Sequence, residues 1–209
     1  MKTPWMEMSV REFQAALASS SPTPGGGTAA AISLGQASAL TIMVCDLTIG
    51  KEKWSDGWDI AEKAMIRAVK TMTRAGELAD EDSDAFDEVM ASFRLPKVTE
   101  DEKMSRRDAI RRATLIATEK PFETANLALQ LLELLPELAA KGNGNAISDV
   151  GVAGLLASAA CKGAMFNVEI NLPGLPENMA QDIRQKSPII KEDARILSRK
   201  IMDEVRDRL

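Results

Sequence analysis

The stretch from Thr28 to about Thr48 constrains this chain more than any other, because it carries no charged side chain before Asp46. Small and aliphatic residues make up most of it, which favours a helix that is apolar on every side. Such a helix is long enough to raise the question of a membrane span. Because Ala, Gly, Ser and Thr dominate it, we interpret it instead as a helix buried between other helices. A second segment of the same kind, Asp149 to about Val168, predicts a second central helix.

The rest of the chain also has helical character, with few of the alternating apolar runs that strands require. Only 4% of the residues are aromatic and none is tyrosine, so the core must be built from Ala, Leu, Ile, Val and the 11 methionines. We therefore predict an all-α fold, a single-domain helical bundle over residues 1–209 with the two small-residue helices at its centre. The other expected helices are a short one capped by Ser9 and ending near Leu17, Asp59–Phe93 with Gly76 as a candidate break, Thr99–Thr118, Pro121–Ala140 and Glu177–Arg208.

Charge and cysteine usage narrow the setting and the partners. The chain has 26 basic and 31 acidic residues, and no Lys/Arg cluster is interleaved with aromatics, so nucleic acid is not an expected partner. The stretch Met1–Trp5 has no apolar core of a signal peptide, so we expect no secretory signal. Cys45 and Cys161 lie in apolar stretches, which favours buried free thiols over a disulfide. We expect a cytoplasmic protein that does not contact a membrane.

The chain contains no histidine, and this excludes several kinds of catalysis within one chain. Ser-His-Asp and Cys-His triads are excluded, and so is zinc hydrolysis, since the two cysteines are far apart in sequence. Catalysis must then use carboxylates, lysine, amides, hydroxyls, backbone N–H groups or helix dipoles. No Asp/Glu spacing argues for a metal site, so we expect no metal.

Two prolines and three glycines precede the first small-residue helix. Pro22 and Pro24 fix φ and hold the approach to the helix extended. The glycines, Gly25, Gly26 and Gly27, can adopt positive φ and let a ligand lie against bare backbone. The free N–H groups at the start of the helix favour an anion there. A flexible turn is the alternative interpretation of the same residues.

Two further places carry acids beside the central helices. Asp46 and Lys51 flank the end of the first small-residue helix. The acidic run Glu81–Asp87 places Asp84 and Asp87 on one face of a long helix, for which a solvated acidic face is the alternative.

A polar loop with two asparagines and two glycines leads into the second small-residue helix. Either Asn145 or Ser148 can cap that helix, and Asp149 is a first-turn acid that complements the helix dipole. Capping does not explain why a loop containing Asn143 should lead directly into an uncharged, buried helix. The loop is therefore a further candidate for chemistry.

Five blocks of the chain, in order from about Met8 to Leu175, resemble the cyclodeaminase/cyclohydrolase family of folate enzymes. Each block is weak alone, and the ordered set is specific. One departure is that Asp46 stands where the family pattern has Asn before Leu-Thr, which bears on substrate preference if that position touches the pterin. The blocks are Pro22–Ala31, Met43–Lys51, Asp84–Phe86 with Leu95–Lys97, Gly142–Asn143 with Ser148–Asp149, and Asn167–Val168 with Asn171.

The resemblance implies an all-helical fold that forms a homodimer, with no cofactor beyond the tetrahydrofolate substrate. Met43–Cys45 and Thr48–Lys51 look most like the free-standing cyclohydrolases of serine-cycle methylotrophs. The implied activity is hydrolysis of 5,10-methenyltetrahydrofolate to 10-formyltetrahydrofolate. The alternatives are a formiminotetrahydrofolate cyclodeaminase that releases ammonia and a non-catalytic folate-binding helical dimer.

For that reaction we assign roles to polar residues and expect them to form one site with the glycine loop. A carboxylate base and a proton donor to N5 suffice, and loss of the base lowers turnover at least about a hundredfold. The expected roles are Asp149 as base or pterin anchor, Asn143, Asn145 and Ser148 orienting water and substrate, Lys51 stabilising the adduct oxygen or assisting protonation, Asp84 and Asp87 as further acids, Asp46 bonding the pterin, and Pro24, Gly25, Gly26 and Gly27 receiving the glutamate tail or the flat pterin.

Overall fold

Seven α-helices, joined by short turns and 3₁₀ segments, account for most of the computed structural model, which describes residues 3–209. The described residues contain no strand, so the all-α prediction is confirmed. Met1 and Lys2, part of the N-terminal stretch interpreted above, lie outside the described residues. The helices are α1 (Val10–Leu17), α2 (Gly26–Thr48), α3 (Trp58–Phe93), α4 (Glu100–Leu132), α5 (Leu135–Lys141), α6 (Ile147–Asn171) and α7 (Gln181–Arg208).

Helices α2, α3, α4 and α6 form a four-helix bundle in which each packs on two neighbours. Ser33 Oγ on α2 donates to the Leu156 carbonyl on α6 at 3.1 Å, and Asn143 before α6 donates to Thr48 at the end of α2, so these helices run antiparallel. Helix α7 packs across α6, α4 and α5. We call the end with the start of α2 and the end of α6 the glycine end, and the other the asparagine end. They lie about 33 Å apart, from the rise of a 23-residue helix.

The two small-residue segments are helices, and each buries one side in the bundle. Leu34 and Val44 on α2 and Ala157 on α6 are fully buried. Both cysteines are free and buried, and burial raises the pKa of the Cys45 thiol to about 12 and that of Cys161 to about 11. Segments Gly26–Thr48 and Gly144–Gly174 are long and apolar enough to cross a membrane, with 50% and 56% of their most apolar windows buried. The opposite side of both helices is exposed.

The predicted helix starts at Ser9 and Thr99 agree with the structure. Ser9 forms a full capping box, in which its hydroxyl accepts from Glu12 N at 3.3 Å and its own N–H donates to Glu12 Oε2 at 2.8 Å. Helix α3 continues through Gly76 without a break. A Cβ at Gly76 would lie 3.2 Å from Met6 Cγ, so the glycine leaves room for the N-terminal segment that packs on α3.

The prediction that Pro121 begins a new helix is wrong. Helix α4 runs through it to Leu132, and the next helix begins at Leu135. Pro121 has no N–H to donate to the carbonyl one turn earlier, that of Ala117. Asn171 Nδ2 donates to that carbonyl at 2.9 Å, which satisfies it from another helix.

The predicted cap of α6 is also wrong. The helix begins at Ile147, its N-cap is Ala146, and no side chain caps it; neither Asn145 nor Ser148 serves. A 3₁₀ turn over Gly144–Ala146 precedes it, and Asn143 Oδ1 accepts from Asn145 N at 2.9 Å. The helix also extends to Asn171 rather than Val168, and α7 begins at Gln181 rather than Glu177.

Candidate active site

A cavity of about 300 Å³ opens at the glycine end of the bundle, where four helices meet. The start of α2, the second half of α3, the middle of α4 and the last turns of α6 contribute to it. Asp82 is the only ionisable side chain among its described lining residues. The lining residues are Pro22, Thr23, Gly25, Gly26, Gly27, Asp82, Phe86, Val89, Ala117, Asn167, Ile170 and Asn171.

The three glycines lie in the cavity wall, but not as a loop with positive φ. Gly25 is extended, with φ −126° and ψ −159°, and Gly26 and Gly27 already belong to α2. Helix α2 begins without a side-chain cap on its N-cap residue, so the N–H groups of Gly26 and Gly27 are available to a ligand. The prediction that the glycines lie at a helix N-terminus is confirmed, and none of the three adopts the positive φ that glycine allows.

Gly27 is required because a carboxylate from α3 occupies the position of its missing side chain. A Cβ there would lie 2.3 Å from Asp82 Oδ1, closer than any real contact. Nothing lies within 4 Å of the corresponding position at Gly26. The absence of a side chain at Gly27 therefore lets the Asp82 carboxylate approach the first turn of α2.

Asp82 is half-buried and is held by Thr28. The Thr28 hydroxyl donates to Asp82 Oδ2 at 3.3 Å, and the Thr28 backbone N–H also donates to the carboxylate. Burial raises the pKa of Asp82 above its ordinary value, and the Thr28 hydrogen bonds oppose that rise. Asp82 therefore combines the cavity position and the basicity that a general base requires.

Neutral polar groups and one aromatic ring complete the cavity. Asn167 donates from Nδ2 to the Gly163 carbonyl at 2.9 Å, which leaves its Oδ1 available to a ligand. Thr23 donates to Asp87 Oδ1 at 3.4 Å on the rim. Phe86 is one helical turn beyond Asp82 and exposes a flat apolar surface. The cavity thus offers a carboxylate, amides and an aromatic face to a planar ligand.

The other predicted site residues lie at the asparagine end. Asn143 donates from N to Thr48 Oγ1 at 3.0 Å and from Nδ2 to the Leu47 carbonyl at 2.7 Å, so it ties its loop to the end of α2. Lys51 and Asp46 are exposed there, and Asp149 lies in the first turn of α6. Asn145 and Ser148 are exposed on either side of that start. One chain therefore does not bring these residues to the glycines, because the length of α2 separates them.

Two more predicted residues lie near the cavity but do not line it. Asp84 follows Asp82 by two residues, so roughly 200° of helix rotation turns it away, and it is exposed. Pro24 is buried. No three acids or cysteines among residues 3–209 lie close enough together to hold a metal ion.

Sequence reasoning named the acidic run but not Asp82 as its important member. A signal was present, because Asp82 follows Ala75 by seven residues and Leu78 by four, and both of these are fully buried. A carboxylate on the apolar stripe of a helix differs from one on a solvated face.

Residues 9–187 match the family described as Formiminotransferase-cyclodeaminase. The methenyltetrahydrofolate cyclohydrolase of Methylorubrum extorquens is 42% identical over 182 residues, which is 85% of each chain. The formimidoyltransferase-cyclodeaminase of Rattus norvegicus is 30% identical over 85% of this chain and 33% of its own length. The crystal structure of formiminotetrahydrofolate cyclodeaminase from Thermotoga maritima superposes with a TM-score of 0.79 at 26% identity, covering 98% of this chain and 96% of that one.

Proposed function

The chain belongs to the formiminotransferase-cyclodeaminase family, and we propose that it hydrolyses 5,10-methenyltetrahydrofolate to 10-formyltetrahydrofolate. The observation that carries the proposal is the 42% identity to a methenyltetrahydrofolate cyclohydrolase over 85% of both chains. The cavity at the glycine end supports it, because a half-buried carboxylate there can activate water beside a planar cation.

Asp82 is the general base of the proposed reaction. Water adds to the amidinium carbon between N5 and N10, and a C–O bond forms as Asp82 takes one proton from the water. The adduct then breaks its bond to N5, and the protonated Asp82 returns the proton to N5. The remaining hydroxyl proton leaves as the formyl carbonyl forms. The amidinium carbon is already electrophilic, so the proposed mechanism needs no metal and no further cofactor.

The rest of the cavity orients the substrate. The N–H groups of Gly26 and Gly27 donate to the pterin or to a carboxylate of the substrate. Phe86 lies against the flat pterin, and Asn167 Oδ1 accepts a hydrogen bond from it. Ionised Asp82 also attracts the cationic amidinium, which favours binding of the methenyl form.

A second copy of this chain completes the proposed enzyme by packing on the exposed side of α2 and α6. That face is apolar and unpartnered in one chain: the side chain of Leu155 is 54% exposed and that of Phe166 is 68% exposed. Met43 and Leu47 extend the face along α2. Burial of such a surface is typical of a homodimer interface.

Charge on this face favours a two-fold arrangement that exchanges its ends. Lys162 is the only basic residue of α2 and α6, and it lies near the glycine end. Asp149 lies 13 residues earlier on α6, about 20 Å toward the asparagine end. A two-fold axis across the middle of the face directs the partner's acidic asparagine end toward the end that carries Lys162. The proposed dimer therefore brings the acidic end of one chain near the basic residue of the other, twice.

The same arrangement assembles one site from two chains. It directs the partner's asparagine end, with the partner's Asp46, the partner's Lys51 and the partner's Asp149, toward the cavity at the glycine end. In the proposed site these groups anchor the pterin and assist protonation, while Asp82 activates water. A cytoplasmic location belongs to the proposal and is supported by the two buried free thiols.

A cyclodeaminase activity is the second candidate, because the Thermotoga maritima neighbour is a formiminotetrahydrofolate cyclodeaminase and the Rattus norvegicus relative is a formimidoyltransferase-cyclodeaminase. Both reactions pass through a tetrahedral carbon between N5 and N10, so one site can support either. An assay with both substrates tests the proposal. We expect rapid decay of methenyltetrahydrofolate absorbance and little ammonia from formiminotetrahydrofolate. Ammonia release without hydrolysis would establish the second candidate, and binding without either reaction would leave a folate-binding dimer.

A further inference from the structure

Trp5, in the 3₁₀ turn Trp5–Glu7, donates twice to the helix that carries Asp82. Its backbone N–H donates to Asp80 Oδ1 at 2.9 Å, and its indole Nε1–H donates to Ser83 Oγ at 2.9 Å. The two acceptors lie on either side of Asp82 in sequence. Trp5 is only 6% exposed and meets the Phe13 ring edge-on at 6.2 Å between centroids. The N-terminal segment is thus fastened directly behind the cavity.

A chain of hydroxyl groups connects the indole to the carboxylate. Ser83 Oγ and Thr28 Oγ1 are 2.9 Å apart, and Thr28 Oγ1 is 3.3 Å from Asp82 Oδ2. Both hydroxyl residues are fully buried, so water does not supply alternative partners. An indole N–H only donates and a carboxylate only accepts. The hydrogen bonds are therefore all donated in one direction: Trp5 donates to Ser83, Ser83 donates to Thr28, and Thr28 donates to Asp82.

We propose that Trp5 is a positioning residue that fixes this direction and so keeps the Thr28 hydroxyl donating to Asp82. With the indole in place, the Ser83 hydroxyl accepts a hydrogen bond from Trp5 and donates one to Thr28. Without it, Ser83 can accept from Thr28 instead, and the carboxylate then loses a hydrogen bond. We call the hydrogen-bonded series from Trp5 through Ser83 and Thr28 to Asp82 the relay. Its effect on catalysis rests on the proposed function of Asp82, whereas the relay itself does not.

The surroundings of Asp82 make the relay its main adjustable contact. Helices α2, α4 and α6 present uncharged lining residues to it. On α3, Glu81 is paired with Arg74 and with Lys120 of α4, and Asp80 accepts from Trp5. Asp84 is exposed, and Asp87 accepts from Thr23 at the rim. Loss of the Thr28 hydroxyl bond raises the pKa of Asp82, since that bond favours the ionised form.

The test is the titration of the Asp82 carboxyl carbon by NMR in the ligand-free protein. In Trp5→Phe, which keeps an aromatic ring and removes the donor, we expect the midpoint to move to higher pH. Thr28→Val should move the midpoint at least as far, and Thr28→Ser, which keeps the hydroxyl, should keep the wild-type midpoint. Phe13→Leu is the matched control, because it loosens packing on Trp5 without touching the relay. It should lower the melting temperature and leave the midpoint unchanged.

The kinetic readout follows the titration. For Trp5→Phe we expect kcat/KM to fall about threefold on the acid side of the pH profile and to keep its plateau value, the scale of one hydrogen bond. An unchanged Asp82 midpoint in Trp5→Phe beside a shifted one in Thr28→Val would overturn the role of Trp5, and an unchanged midpoint in both would overturn the relay. If no variant hydrolyses methenyltetrahydrofolate but the midpoint moves, the proposed function fails and the relay stands.

Discussion

At the scale of single residues, the cavity and the hydrogen bonds around a buried ionisable group decide whether it can take part in a reaction. Cys45 and Asp82 both have raised pKa values because burial disfavours their charged forms. Cys45 is fully buried in the hydrophobic core and is not among the residues that line the glycine-end cavity. Asp82 borders that cavity and accepts two hydrogen bonds from Thr28. Of the two groups, the carboxylate is therefore the one placed to exchange a proton with a ligand in the cavity.

Two neighbouring glycines provide a matched pair at this scale. In Gly27→Ala the new Cβ would lie 2.3 Å from Asp82 Oδ1, so the carboxylate must leave its place and we expect a large loss of turnover. In Gly26→Ala nothing lies within 4 Å of the new Cβ, so Asp82 keeps its place and we expect a smaller loss of turnover. The measurements are kcat and urea denaturation of both variants. Equal activity of the two would contradict the close approach of Asp82 to α2.

At the scale of helices, sequence patterns found elements whose signals are local. The capping boxes at Ser9 and Thr99 placed two helix starts correctly, because each box satisfies its own backbone donors. Pro121 misled for a physical reason: the carbonyl that its missing N–H leaves free is satisfied by Asn171, 50 residues later in the chain. A contact between distant elements cannot be predicted from one helix alone.

In the candidate site, too, local features could be predicted from the sequence and contacts between distant elements could not. The glycines could be placed at a helix start from the sequence, and the structure puts them in a cavity wall. Their partner Asp82 could not be selected from an acidic run without knowing which face of α3 meets α2. Sequence also could not show that Lys51 and Asp149 lie one helix length from the glycines, since order along the chain carries no distance. The catalytic and binding roles assigned to these residues stay predictions.

An ion-pair cluster between α3 and α4 gives a pH-dependent test at this scale. Arg74 binds Glu123 at 2.6 Å and Glu81 at 2.6 Å, and Lys120 binds Glu81 at 2.8 Å. The Arg74 and Lys120 side chains lower the pKa of Glu81 from 4.5 to about 2. A lowered carboxyl pKa gives stability that is present above the unfolded value and is lost as pH falls.

We therefore expect Glu81→Gln to lower the free energy of unfolding at neutral pH, with a difference from wild type that disappears between about pH 4.5 and about pH 2. Denaturation in urea over that pH range measures it. Glu100→Gln is the control, because Glu100 pairs with Lys103 at the surface and should change stability little. A Glu81→Gln effect that is constant with pH would contradict the electrostatic origin.

At the scale of the whole molecule, the exposed side of the two central helices is the dominant feature. Helices α2 and α6 are apolar around their whole circumference, and one chain buries only about half of each. The predicted site residues lie at both ends of this exposed face. The proposed two-fold dimer explains both facts, because it covers the face and joins the glycine end of one chain to the asparagine end of the other.

Mixing two inactive variants tests the shared site. Asp82→Asn and Asp149→Asn should each be impaired when pure. In a refolded equal mixture half of the dimers are mixed, and each of these has one site free of both changes. We therefore expect about a quarter of wild-type activity in the mixture. Activity that stays at the level of the pure variants, in a mixture shown to exchange subunits, would contradict a site shared between two chains.

The turnover of methenyltetrahydrofolate by Asp82→Asn, followed by the decay of the substrate's absorbance, tests the proposed active site most directly. Asn keeps the shape of the side chain and cannot take a proton, so we expect kcat to fall at least about a hundredfold. Glu88→Gln, an exposed change on the same helix, is the control and should keep full activity. A folded Asp82→Asn protein with kcat within a few fold of wild type would contradict the assignment of the glycine-end cavity as the active site.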